Sequence, residues 1–215
     1  MYNDPLHIFT LATRILSDCL PSNKRFPALY IFSETEDNQL SPIEQAISYW
    51  SRNTVEKIVC LNTVAGRNGS AGFEFQKYEL IWHKVPEAAI IPLEVPPEPF
   101  MVHTRSEAEL LVRYARVHQW ESIIVCAAPF HQVRAFASVV TIALREYPTL
   151  RIYSVPGTPL NWKNCARHSQ GTLQKERKAL IQEEYNRLVK YHKKGDLASN
   201  DEILNYFDWR DSVRA

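Results

Sequence analysis

The sequence predicts an α/β fold: a three-layer, Rossmann-like, doubly wound and mostly parallel five-stranded sheet, with extra helices at both ends. Two observations predict it. Strand-like apolar runs alternate with helical periodicity five times between residues 27 and 157, the mark of repeated β-α units. The run at 122–128 (SIIVCAA) is apolar without alternation, as a strand buried on both faces must be.

The elements follow in order. Residues 5–20 read as an amphipathic N-terminal helix with Asp4 as its cap. Residues 27–32 (PALYIF) are the first strand, ending in an acidic run at 33–38 (SETEDN). Ser41 and Glu44 are spaced as a capping box, with Pro42 at the first helical position, so a helix is expected to open there. Residues 57–61 are the second strand, followed by Gly66, Gly69 and Gly72, and a helix is expected over 73–84. Residues 88–93 are the third strand, and 104–119 a helix in which Thr104 and Glu107 have capping-box spacing. The fourth strand runs straight into Pro129 and a helix whose apolar positions, from Val133 to Tyr147, keep a 3.6-residue period. Residues 151–155 are the fifth strand. Beyond it, 173–194 read as one long charged helix, and Ser199 with Glu202 caps a last short one. A single domain is expected: an N-terminal helix at 5–20, an α/β core at 27–157 and a helical extension at 158–215.

Composition narrows the function classes. The chain has 215 residues and a net charge of +1, which gives no field to steer it onto nucleic acid or an acidic membrane. Its longest apolar tracts are too short for a membrane span, and its first residues lack the basic and apolar segments of a secretory signal. The four cysteines, Cys19, Cys60, Cys126 and Cys165, have no CxxC spacing. Cys60 and Cys126 sit inside strands and read as reduced core thiols. A cytoplasmic protein is expected, with neither a nucleic-acid nor a membrane partner, and with terminal helices on which an oligomer could form.

Candidate chemistry collects where strands end. His131 and Arg134, three residues apart at a helix start, can present an acid/base and a bidentate anion clamp. A loop-capping histidine and a surface arginine explain the same spacing. Both side chains are expected to face the loop-rich edge, so that truncating either should hardly disturb packing. Ser33 and Glu34 follow the first strand, and Asn62 and Thr63 the second, placing all four at the edge where doubly wound folds bind ligands. Glu34, Glu36 and Asp37 can serve a ribose, a cation or a divalent ion, or form a solvated loop; the histidines show no zinc spacing, and no metal site is assigned. Thr104 and Glu107 can be a cap or part of a site, and Arg105 can face ligand or solvent. The three glycines suit a phosphate cradle less well than a turn, being neither G-x-G-x-x-G nor a P-loop. The polar stretch 167–171 (RHSQG), with His168, can fold over the sheet's carboxyl edge or be a plain turn.

The segment 127–135 (AAPFHQVRA), a strand end leading into H-x-x-R-A, resembles the most recognisable element of the bacterial family that includes YdcF, SanA and ElyC. The segment 103–108 (HTRSEA) is similar to that family's second, N-T-x-E-N-A-like element. Where the family has a glycine-rich turn after its first strand, this chain has SETE. The resemblance implies a Rossmann-like fold with a site at the carboxyl edge of the sheet and a small anionic or nucleotide-like ligand. S-adenosylmethionine is a possible cofactor. On that reading the chain is an enzyme, a transferase or hydrolase in which His131, Arg134 and Glu107 are catalytic. Ser33, Glu34, Asn62, Thr63, Thr104, Arg105 and His168 bind ligand. The alternative is a non-catalytic sensor or protein-interaction module.

Overall fold

In the computed structural model, residues 5–66, 69–97, 101–168 and 171–212 are described. Strands β1 (Phe26–Ile31), β2 (Val55–Asn62), β3 (Ile90–Glu94), β4 (Ser122–Cys126) and β5 (Arg151–Ser154) form one sheet in the order β3-β2-β1-β4-β5. Every neighbouring pair is parallel. The chain therefore builds outward from β1 to β3, returns to the centre, and builds the other way through β4 and β5. That reversal puts a topological switch point between β1 and β4, the place where open α/β sheets leave a crevice at their carboxyl ends.

The helices are α1 (Pro5–Leu16), α2 (Glu36–Ser51), α3 (Phe73–Trp82), α4 (Thr104–Val117), α5 (Gln132–Glu146), α6 (Arg177–Lys193) and α7 (Asn200–Ser212). Strand side chains alternate between two cores, as the pleat requires. Tyr30, Val59, Val125 and Ile152 pack with α1, α4, α5 and α7 on one face. Leu29, Ile58, Ile124 and Tyr153 pack with α2 and α3 on the other. Cys60 and Cys126 lie wholly inside this second core, where burial pushes both thiols up. No helix among the described residues is long and apolar enough to cross a membrane.

Several boundaries differ from expectation for identifiable reasons. Helix α2 starts at Glu36, with Thr35 at its N-cap, so Pro42 lies inside the helix. Glu36 and Asp37 in the first turn complement the helix dipole. Ser41 does not cap; its Oγ donates to the Thr158 carbonyl at 2.7 Å. The cap of α4 also sits one residue earlier than its spacing suggests. His103 Nδ1 accepts from Ser106 N at 3.1 Å while Ser106 Oγ accepts from His103 N at 2.9 Å, closing a reciprocal box. Thr104 and Glu107 are thereby released from capping. At the C-terminal end the expected single helix divides. Residues Cys165–His168 and Leu173–Glu176 form an antiparallel hairpin, β6 and β7, before α6 begins. The box of Ser199 and Glu202 at α7 is present, with Glu202 N donating to Ser199 Oγ at 3.2 Å and Ser199 N to Glu202 Oε2 at 2.7 Å. Asp4 lies outside the described residues.

Candidate functional site at the switch point

A cleft of about 370 Å³ opens at the carboxyl ends of β1, β2 and β4. Its floor is the turn after β1, which delivers Ser33, Glu34 and Thr35, and one wall is the start of α4 with Thr104 and Glu107. The N-cap and first turn of α5 contribute His131 and Arg134, and the hairpin contributes His168. The remaining wall is α6, through Arg187, Lys190 and Tyr191. Thr63 and Ser70 come from the segment after β2.

That segment is shaped by its glycines. Gly66 N donates to Ser70 O at 2.9 Å and Gly69 N to Gly66 O at 3.1 Å, so these amides are spent within the turn and do not form a phosphate cradle. Gly72 has φ +83°, and a Cβ there would lie 2.6 Å from Ala65 N, so only glycine closes this loop. The loop returns Ser70 to pair with Thr35, at the rim of the cleft.

His131, at the N-cap of α5, is 3% exposed and fixed at both ring nitrogens. Its Nδ1 lies 2.7 Å from Glu34 Oε1, an oxygen that also accepts from Ala128 N at 3.1 Å. Its Nε2 lies 3.2 Å from Thr104 Oγ1. Arg134 Nη1 donates to that same hydroxyl oxygen at 2.5 Å. An arginine can only donate, so it takes one lone pair of the Thr104 oxygen and leaves the hydroxyl proton free to turn to His131 Nε2. With Nδ1 facing the Glu34 carboxylate, Nε2 is the ring nitrogen placed to accept it.

Glu107 stands on the other side of the same turn. Its Oε2 accepts from Tyr30 Oη at 2.8 Å and from Ser33 N at 3.0 Å. Burial raises its carboxyl to about 7; those two hydrogen bonds oppose the rise and the nearby Glu34 charge adds to it. A carboxyl with that pKa exchanges its proton near neutral pH.

Arg134 is not the exposed fork that the spacing suggested. It is 6% exposed, and Glu184 of α6 occupies its fork, with Nε to Oε2 at 2.5 Å and Nη2 to Oε1 at 3.0 Å. Glu184 Oε1 also lies 2.6 Å from His168 Nε2. Burial would push the Glu184 carboxyl up, but the Arg134 charge and the His168 hydrogen bond hold it well below the usual range. With His131 and Arg134 both buried, truncating either opens a hole and strands a polar partner. The expectation that truncation would hardly disturb packing is therefore corrected.

Two expected residues lie outside the cleft. Asn62 is exposed and donates its Nδ2 to both Glu94 carboxylate oxygens, at 3.1 and 3.0 Å across β2 and β3. Arg105 points away along α4, pairing with Glu109 at 3.0 Å and Asp196 at 2.5 Å. The acidic residues Glu36 and Asp37 are spent on the hairpin, since Arg167 reaches Glu36 at 2.7 Å and Asp37 at 3.1 Å. No group of three potential metal ligands occurs among the described residues.

Sequence reasoning missed the whole contribution of α6. Glu184, Arg187 and Tyr191 fall on one helical face at i, i+3 and i+7, with Lys190 beside them, but in a helix so rich in charge that spacing singles out none of them. Arg187 lies 3.9 Å from Glu184, and Lys190 is exposed and forms no ion pair among the described residues. The cleft thus joins a neutralised, hydrogen-bonded interior to a cationic rim. No protein-family model matches this chain, and neither a curated protein nor a solved structure is similar enough to count as a match.

Proposed function

We propose that the chain is an enzyme that binds a small anionic or nucleotide-like metabolite in the switch-point cleft and moves protons on it through His131 and Glu107. One observation carries this reading. A histidine oriented at Nδ1 by Glu34 and a carboxyl poised near neutral pH arrive from different elements and face the same cleft. Paired groups with different proton affinities are what general acid–base chemistry needs. The Lys190 ammonium at the rim supplies the attraction for an anion that Arg134, already paired, does not. Thr104 and Arg134 act as positioning residues for His131. The H-x-x-R-A segment that carries the resemblance to the YdcF, SanA and ElyC family is the one holding His131 and Arg134, and we propose the chain as a divergent relative of that family.

The test is a thermal-shift screen of the full chain against nucleotides, S-adenosylmethionine and sugar phosphates, followed by product analysis on whatever binds. A ligand at a hundred times its dissociation constant adds about 2.7 kcal/mol of stability. Stabilisation with turnover that His131→Gln abolishes is the expected result. Stabilisation without any product over hours would make the cleft a sensor site, and no stabilisation by any of these classes would overturn the reading.

A further inference from the structure

Resting on that reading of the cleft, we infer that Thr104 is a nucleophile and that the reaction is hydrolysis of a small ester or thioester bearing an anionic group. Three observations on different elements converge on its hydroxyl. Glu34, His131 and Thr104 form a carboxylate–imidazole–hydroxyl series, with 2.7 Å between Glu34 Oε1 and His131 Nδ1 and 3.2 Å between His131 Nε2 and Thr104 Oγ1. This is the order of roles that activates a hydroxyl on unrelated folds, recognised by geometry and not by sequence position. The carboxylate is itself held, accepting from Ala128 N at 3.1 Å, so the imidazole is oriented by a fixed group.

The second observation is the place of Thr104 in α4. It is the first residue of a 14-residue helix. Of that helix's four opening N–H groups, Ser106 N is taken by the His103 ring and Glu107 N by the His103 carbonyl. The N–H groups of Thr104 and Arg105 make no hydrogen bond among the described residues. Unspent N–H donors at the positive end of a helix are suited to stabilising an oxyanion. The third observation is Arg134 Nη1, 2.5 Å from Thr104 Oγ1, which pins the rotamer and donates a hydrogen bond to the oxygen as it gives up its proton.

The steps balance with water alone. Thr104 Oγ1 attacks the carbonyl carbon as its proton passes to His131 Nε2, and the C=O electron pair moves onto an oxygen at the open N-terminus of α4, where Thr104 lines the cleft. The intermediate collapses, the bond to the leaving alcohol or thiol breaks, and that group takes the proton from His131. A water then attacks the threonyl ester and gives a proton to His131 Nε2. The C–Oγ1 bond breaks, Thr104 recovers the proton, and the carboxylic acid leaves. Glu34 holds His131 Nδ1 throughout and steadies the imidazolium. Lys190, at the rim, selects esters whose acyl part ends in a carboxylate.

The experiment uses the full chain with p-nitrophenyl acetate and mono-p-nitrophenyl succinate. We expect a burst of nitrophenolate and an acyl adduct that peptide mass spectrometry places on Thr104, with the succinyl ester the faster of the two. Thr104→Val keeps the shape without the hydroxyl; it should lose the adduct and lower the rate by about a thousandfold, while Thr104→Ser is still acylated. Lys190→Ala should narrow the preference for the succinyl ester by about tenfold, the worth of one charged contact. Should Thr104→Val fail to fold, acylation of Thr104 in the unaltered chain and of serine in Thr104→Ser still decides the matter. Absence of an adduct on Thr104, or a Thr104→Val variant that hydrolyses both esters normally, overturns the nucleophile. If metabolites stabilise the chain in the thermal screen while no adduct forms, the nucleophile falls and the acid–base cleft stands; if neither occurs, both fall.

Discussion

Two buried arginine–carboxylate pairs brace the fold, and only one of them lines the switch-point cleft. Beside the outer strand β5, Arg210 of α7 is 1% exposed, and its Nη1 and Nη2 each reach an oxygen of Asp18 at 2.6 Å. The remaining partners of Arg210 are scaffold: Ile152 O at 2.8 Å, Asp211 at 2.9 Å, and the rings of Tyr153 and Phe207 at 4.4 and 4.7 Å. Asp18 in turn accepts from Ser154 N and Cys19 N, both at 2.9 Å. This pair fastens α7 and the end of α1 to β5, and its partners run on through Asp211 to Arg14 and Asp208. Arg210 also borders a second cavity of about 430 Å³, but no histidine, cysteine or hydrogen-bonded hydroxyl–imidazole pair lines it. At the carboxyl edge, Arg134 and Glu184 are joined just as tightly. But Arg134 passes a donor on to Thr104, Thr104 meets His131, and Glu184 meets His168, all along the wall of a cleft. Burial and pairing do not distinguish the two arginines. What sets Arg134 apart is a chain of partners ending in hydroxyl and imidazole atoms that line the cleft.

The largest expected effects test that contrast directly. Asp18→Ala strands the Arg210 charge and should cost about 3–5 kcal/mol in urea unfolding, with ligand-induced stabilisation of the surviving fold unchanged. Glu184→Ala strands Arg134 at a similar cost, but should also abolish the ligand response, because Arg134 then no longer holds Thr104 in place. Equal ligand responses in the two variants would erase the distinction. The Glu184 contribution has a pH signature as well. Its carboxyl is depressed in the folded chain, so the stabilisation is present above the ordinary carboxylate pKa of 4.5 and drains away as pH falls below it.

Glu107 should behave in the opposite sense. Its folded pKa, about 7, is above the ordinary 4.5, so the folded chain holds an extra proton between those values. Stability from this group is full below 4.5 and declines as pH rises to about 7, a loss of roughly 3 kcal/mol at 1.36 kcal/mol per pKa unit. Denaturant unfolding across that range should show the decline in the native chain and not in Glu107→Gln. A decline that persists in Glu107→Gln would place the proton elsewhere and weaken the case for Glu107 in acid–base work. The smallest effect concerns the rim. Lys190→Ala should leave the unfolding midpoint where it is and weaken binding of an anionic ligand by about tenfold in calorimetry, since an exposed cation contributes to recognition without holding up the fold.

The five strands and the edge where the cleft opens were readable in the sequence because they depend on local pattern. Apolar runs such as 122–128 have no stable alternative to a buried strand, and helices joining successive strands force a parallel sheet. Once β4 ends in a turn leading to His131, that histidine must stand at the carboxyl edge, and Glu34, at the end of the neighbouring strand, must stand beside it. Spacing could not decide between two capping boxes one residue apart at α4. The choice of His103 with Ser106 is tertiary, since Glu107 is drawn inward by Tyr30 and Ser33, and Thr104 by His131 and Arg134. The β6–β7 hairpin was unreadable for a related reason. The run at 173–176 (LQKE) has no strand pattern, and it is held by contacts around it, such as Arg177 Nε to Asn38 Oδ1 at 2.9 Å.

By itself, then, the sequence determined the sheet, its parallel sense and the edge at which the cleft opens, because hydrophobic period and chain direction act over a few residues at a time. Tertiary structure alone decided which charged groups are spent and which remain available. Arg134 is neutralised by a carboxylate 50 positions away. Glu36 and Asp37 are taken by an arginine about 130 positions away, while Lys190 is left at the rim. Charge pairing depends on distance in space and on desolvation, and neither is written in the spacing of residues along a chain.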